Sequence, residues 1–174
     1  MHLTPAMQSF VLHWGEMGAK WGVNRSVAQI HALLHIAPDP LDAEEIAETL
    51  GIARSNVSTG LKELQGWKLV KASRGLGERR DVFTSVQDMF DLATVVAEGR
   101  REREFIPTLQ ALRDVAVSAE TDATPDHVKV RMKETLDTMQ MFDDWYRDIS
   151  RLPRGVQMAV LKLGSKIARF LPKG

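Results

Sequence analysis

The 174-residue sequence predicts a mainly α-helical fold with one small β-hairpin. Three observations carry that expectation. Apolar residues recur at three- and four-residue spacing over most of the chain. Two short helical patterns are separated by little more than Gly51. A single pair of short strand-like runs flanks a glycine- and arginine-bearing turn around residues 75–80. The expected organisation is an N-terminal helix over 1–24, a central unit over 25–86 and a helical extension over 87–174.

Thr4-Pro5 reads as a helix start, with threonine as cap and proline at the first helical position, where its missing N–H costs nothing. Phe10, Trp14, Met17 and Trp21 then form one stripe. Asn24 or Ser26 starts a second helix, with Val27, Ile30, Leu33, Leu34 and Ala37 inward, and Pro38 and Pro40 end it. Asp42 with Glu45 three residues on forms a capping box, and Gly51 can close that helix in the left-handed conformation. Val57, Leu61 and Leu64 mark the buried side of the next helix, about Arg54 to Gln65.

Residues 69–74 and 81–84 read as the hairpin, with a basic tip. Ser85, with Asp88 three residues later, is expected to open a long helix that Pro107 kinks or divides. Thr124-Pro125 repeats the cap-then-proline start of a helix whose stripe is Val128, Met132, Leu136, Met139, Phe142, Tyr146 and Ile149. Pro153 and Gly155 interrupt. A last helix follows, with Val156, Val160, Leu163, Ile167 and Phe170 set against Lys162, Lys166, Arg169 and Lys173.

With 44% hydrophobic and 26% charged residues the chain is composed as a folded globular protein. It contains no cysteine, which excludes disulfides and thiolate chemistry and fits a reducing, cytoplasmic setting. No apolar run approaches the roughly 20 residues of a membrane span, and no signal-peptide layout is present. Acidic and basic residues balance at 23 each, so the informative quantity is their distribution. Residues 39–50 hold only acids: Asp39, Asp42, Glu44, Glu45 and Glu48. Residues 53–81 hold seven bases against three acids, a surplus of four, which is the electrostatic footprint of a polyanion partner.

A short acidic helix, a tight turn, a second helix with polar residues outward, and a hairpin with arginines at its tip together build a winged helix-turn-helix. On the second helix, setting aside Val57, Leu61 and Leu64 leaves Arg54, Ser55, Asn56, Ser58, Thr59 and Lys62 for the outer faces. These are groove-reading chemistries: asparagine can pair with adenine, arginine with guanine or phosphate, and the hydroxyls with several base edges. Arg74, Arg79 and Arg80 lie where a wing would meet the backbone or minor groove. Gly60, inside the helix, costs about 1 kcal/mol relative to alanine, so a close approach by another backbone is expected there. The double-stranded DNA partner rests on this combination, because a charge surplus alone is as well explained by a solvated face.

The run from Leu41 to Val70, LDAEEIAETLGIARSNVSTGLKELQGWKLV, resembles the winged helix of MarR-type transcriptional regulators, particularly the GbsR-like branch. Trp14-Gly15-Glu16-Met17-Gly18 resembles that branch's N-terminal helix, and the helical C-terminal extension is similar too. The resemblance implies a homodimer held by N- and C-terminal helices on a pseudo-palindromic operator, with recognition helices entering major grooves about 34 Å apart. It also implies groove-reading roles for Ser55, Asn56, Ser58, Thr59 and Lys62 and wing roles for Arg79 and Arg80. Ala53 departs from the usual serine or threonine cap, at a cost of about 1 kcal/mol.

Other features are weighed against plainer readings. His31 and His35 share a helix face, but the glutamate and third ligand of a zinc-hydrolase motif are missing, so no metal and no cofactor are expected. Asp143 and Asp144 are adjacent and thus on different faces, poorly arranged for paired acid–base work. No phosphate loop or nucleophile elbow occurs, and the chain is not expected to be an enzyme. Trp14 and Trp21 are candidate walls for a small-molecule effector through cation–π contacts, although such a stripe equally serves a core or dimer interface. The basic last helix suggests either dimer packing or a membrane surface. The functional expectation is sequence-specific regulation of transcription, as a repressor, with an effector of unidentified chemistry. The alternative is a winged-helix module that binds another protein instead of DNA.

Overall fold

The computed structural model describes residues 1–75, 79–164 and 166. They fall into two compact units, Met1–Arg101 and Glu102–Gly174.

The first unit is laid down by local signals in the order the sequence presents them. Helix α1 spans Pro5–Lys20, and the Thr4 hydroxyl accepts the Met7 N–H at 3.3 Å. Helix α2 spans Arg25–Ile36; its cap is Asn24, which accepts the Ser26 N–H at 2.9 Å. The two helices cross closely because glycines face the contact: a Cβ on Gly18 would lie 2.5 Å from the Ala28 Cβ. After β1 (Leu41–Asp42), helix α3 (Ala43–Leu50) is closed by Gly51 at φ 63°. Helix α4 spans Arg54–Gly66 and has no side-chain cap at Ala53, as its sequence implies. Strands β2 (Val70–Ser73) and β3 (Val82–Ser85) form the hairpin, and helix α5 spans Met89–Arg100.

The sheet is antiparallel with order β1-β3-β2. Leu41 pairs with Phe83 and Asp42 with Val82, so the residue that caps α3 is also held to the loop end of the hairpin strands. Below lies one apolar core of Val27, Ile30, Leu33, Leu34, Ile46, Val57, Leu61, Leu64, Leu69, Val70 and Leu92. Full burial of each such side chain is worth about 1.5–3 kcal/mol. The two helices of the helix-turn-helix are therefore fixed by α2 beneath them, not by each other alone.

A π-helical turn at Arg101–Phe105 includes the last residue of the first unit and precedes α6 (Ile106–Thr121). Pro107 accounts for it: its ring lacks the N–H that would bond the carbonyl of residue 103 and crowds that carbonyl, so the turn before it widens. Helix α7 (Asp126–Ser150) packs along α6, and α8 (Arg154–Leu163) follows.

Several expected details differ. The helix after the hairpin is capped by Asp88, which accepts from the Phe90 and Asp91 N–H groups, and Ser85 instead ends β3, buried. At α7 the cap position is Pro125, whose side chain has no acceptor to offer, and the Thr124 N–H before it donates to the Asp122 carboxylate at 2.8 Å. Phe142 leaves the stripe assigned to it: Val128, Met132, Leu136, Met139, Tyr146 and Ile149 are half-buried, whereas Phe142 is exposed. The hairpin tip at 76–78 and the expected positions of Ile167, Arg169, Phe170 and Lys173 lie outside the described residues.

Candidate nucleic-acid interface

Helix α4 divides its residues by burial. Val57, Leu61 and Leu64 face the core together with Gly60, and Arg54, Ser55, Asn56, Ser58, Thr59 and Lys62 are all exposed. Gly60 is buried because a Cβ there would stand 2.7 Å from the Ile30 Cδ1 atom. The close neighbour is thus a side chain of α2 above all, where an approaching backbone was expected; the nearest backbone atom, the Val27 Cα, would be 3.7 Å away.

Beside α4 the loop end of the hairpin borders a cleft of about 240 Å³, lined by Asp42, Glu44, Arg54, Arg74, Arg79 and Arg80 among others. Its charges are organised. The Asp42 carboxylate accepts the N–H groups of Glu44 and Glu45 at 2.8 and 2.9 Å, and its own N–H donates to the Glu45 carboxylate at 2.8 Å. Its second oxygen takes the Arg80 guanidinium at 3.0 Å, and Arg80 also reaches Glu44 at 2.7 Å. The Glu45 N–H bond, with help from Arg80, holds the Asp42 carboxyl below the ordinary carboxylate range. Arg74 is tied to Asp81 at 2.8 Å. No acid pairs with Arg79 among the described residues, and its side chain is exposed.

The three wing arginines are therefore not equivalent, a distinction that sequence reasoning missed. Arg80 is pinned to the start of α3 by a contact 38 residues away in sequence. The only signal for it was the acidic run at 39–50 facing a basic hairpin. The cap is expected to outweigh the exposed ion pair, since N-caps contribute about 1 kcal/mol and surface pairs about 0.2–1 kcal/mol. Asp42→Ala should accordingly lower stability by about 1–2 kcal/mol, and Asp42→Asn, which keeps a capping oxygen, by less than half as much. Urea midpoints decide this, and equal losses would assign the effect to the charge.

Trp14 and Trp21 are separated in role. The Trp14 ring is already occupied by Phe10, His31 and His35, at centroid distances of 5.5, 6.0 and 6.4 Å. Trp21 is 60% exposed at the end of α1, and its carbonyl accepts the Arg100 guanidinium at 2.6 Å. Among the described residues no three histidine or acidic side chains converge on a metal position. No helix among them is long and apolar enough to cross a membrane.

A three-stranded sheet folded onto a helix-turn-helix, with an exposed polar face on the second helix and arginines on the hairpin, defines a winged-helix DNA-binding protein. Residues 21–81 match the MarR family model. The chain is 28% identical over 164 residues to the HTH-type transcriptional repressor GbsR of Bacillus subtilis (strain 168), covering 87% of this chain and 83% of that protein. A crystal structure of a transcriptional regulator is similar in fold, with a TM-score of 0.59 at 24% identity, covering 83% of this chain and 95% of that one. The matched segment is a MarR-type domain, and the chain as a whole is similar to a GbsR-type repressor, which together with the fold supports a DNA-binding transcriptional regulator.

Proposed function

We propose that the chain acts as a homodimeric repressor on a pseudo-palindromic operator, with α4 as recognition helix and the hairpin as wing. The observation that carries the reading is the division of α4, whose core-facing positions are all apolar or glycine and whose exposed positions from Arg54 to Gln65 are all polar or charged. Arg54, Asn56, Ser58, Thr59 and Lys62 would contact the major groove, with Ser55 beside them at the helix start. Arg79 would take a phosphate or the minor groove. Arg74 and Arg80, held by Asp81 and by Asp42 and Glu44, would chiefly set the wing's posture.

Dimerisation is supported by the second unit's thin core. Of its described residues only Leu109, Ala119 and Asp143 are buried. Beside the Val128–Tyr146 stripe, α7 also carries Met141, Phe142 and Trp145, exposed by 60, 56 and 60%. Large apolar side chains adjacent on one surface mark an association site, and the twofold pairing of two such units would supply the missing core.

Anisotropy titration of duplexes from the chain's own upstream region, at several salt concentrations, tests the reading. Affinity should fall steeply with salt. Arg79→Ala should weaken every duplex and reduce the salt slope by about one per contact removed, whereas Asn56→Ala should cost about 1–3 kcal/mol and relax base preference at one position. No binding to any duplex at low salt would overturn the reading and favour a protein partner.

A further inference from the structure

Gly60 is an unexplained choice for the middle of a helix that reads DNA. Its backbone does not need glycine: among the described residues the glycines at positive φ are Gly22, Gly51 and Gly164, and Gly60 is helical. Alanine would favour the helix by about 1 kcal/mol. The feature that opposes alanine is the approach of α2. A Cβ at residue 60 would meet the Ile30 Cδ1 at 2.7 Å, the Val27 Cγ2 at 3.5 Å and the Val27 Cα at 3.7 Å. Ile30 is 0% exposed and Val27 is buried, so the Ile30 terminal carbon has no solvent to swing into.

We infer that Gly60 is a positioning residue: by bringing α4 down onto Ile30, it sets the height at which the exposed side chains of the helix stand above α2. The inference rests on the reading of α4 as recognition helix. Asn56 and Thr59 flank Gly60 on that helix, one turn before it and immediately before it. Because interiors are close-packed, an added methyl group is accommodated by moving a neighbour, and here the movable body is α4 with the polar residues it carries. Base contacts depend on such placement more than phosphate contacts do. A lifted α4 should therefore lose affinity without losing charge neutralisation.

The experiment compares wild type, Gly60→Ala, Ile30→Val and the double variant on one duplex, with affinity at several salt concentrations and thermal melting of each protein. Ile30→Val removes the Cδ1 atom that the new methyl would strike. Gly60→Ala should bind at least about tenfold more weakly, the worth of one base contact, with an unchanged salt slope and a melting temperature not lowered in proportion. Ile30→Val alone should bind within about threefold of wild type, and the double variant should recover to within about threefold as well. Gly60→Ala binding like wild type, or a loss that Ile30→Val does not restore, would overturn the inference while leaving the recognition-helix reading intact. If Gly60→Ala does not fold, the double variant decides: folding with DNA affinity near that of Ile30→Val supports the inference, and failure to fold overturns it. Absence of DNA binding by wild type would remove the recognition-helix reading, and this inference with it.

Discussion

Acidification from pH 6.5 to about 4 is expected to remove about 3 kcal/mol of folding stability through one side chain, His31. Its imidazole is 3% exposed, stacked on Trp14 and on His35 at 6.0 and 6.1 Å, and its Nε2 has no hydrogen-bond partner among the described residues. Burial, reinforced by the neighbouring charge of His35, lowers its pKa from 6.5 to about 4. The folded state therefore prefers the neutral ring. Its contribution is complete above pH 6.5, declines as the unfolded chain takes up a proton the folded chain refuses, and is gone near pH 4. Asp42, also lowered, loses its contribution below the ordinary carboxylate range, outside most of that window. Urea unfolding of wild type and His31→Leu at pH 7, 5.5 and 4.2 separates this side chain from the rest. The variant's stability should fall less over the window by about 3 kcal/mol. Parallel curves would mean that His31 titrates in the folded protein as it does in the unfolded one.

His31 also illustrates which parts of this molecule could be read in advance. The sequence showed its helix face but not the absence of any polar partner for Nε2, because that depends on what α1 lays over it. Features set within one turn of backbone were legible: the Thr4 cap, the Asp42–Glu45 box and the left-handed Gly51. So was the polar face of α4, since three buried positions at helical spacing leave the others outward. Strand β1 was not legible, because its two residues become a strand only by pairing with Val82 and Phe83 some 40 residues later. The same distance hid the Arg80–Asp42 contact. Local signals also misled where two competed. Ser85 and Asp88 both offer a helix start, and pairing of Ser85 with Val70 leaves the cap to Asp88. The positive φ after α4 falls at a non-glycine residue, Lys68, at 60°. There the N–H groups of Lys68 and Leu69 bond back to Gln65 and Leu64 at 2.9 Å. Phe142 was misassigned because seven apolar residues over six turns were treated as one stripe, when α7 carries two.

That second stripe leads to the other large expected effect. On the proposed homodimer, Trp145→Glu combined with Met141→Glu should separate the two copies and weaken operator binding by about 10²–10⁴-fold, since a half-site bound alone forfeits the effective concentration supplied by its tethered twin. Met141 and Trp145 are one turn apart and each 60% exposed, so carboxylates at these positions cost a lone chain little. They become costly only when a second copy buries them. Sedimentation equilibrium of wild type and variant measures assembly, and the circular dichroism of each checks that helix content is kept. The first unit's core does not include these residues, so α4 and its polar face should persist in the monomer. A monomer retaining weak, strongly salt-dependent affinity for a half-site is therefore the specific expectation. A variant that remains dimeric would move the interface to another surface. One that becomes monomeric yet binds the full operator as tightly as wild type would separate assembly from DNA recognition.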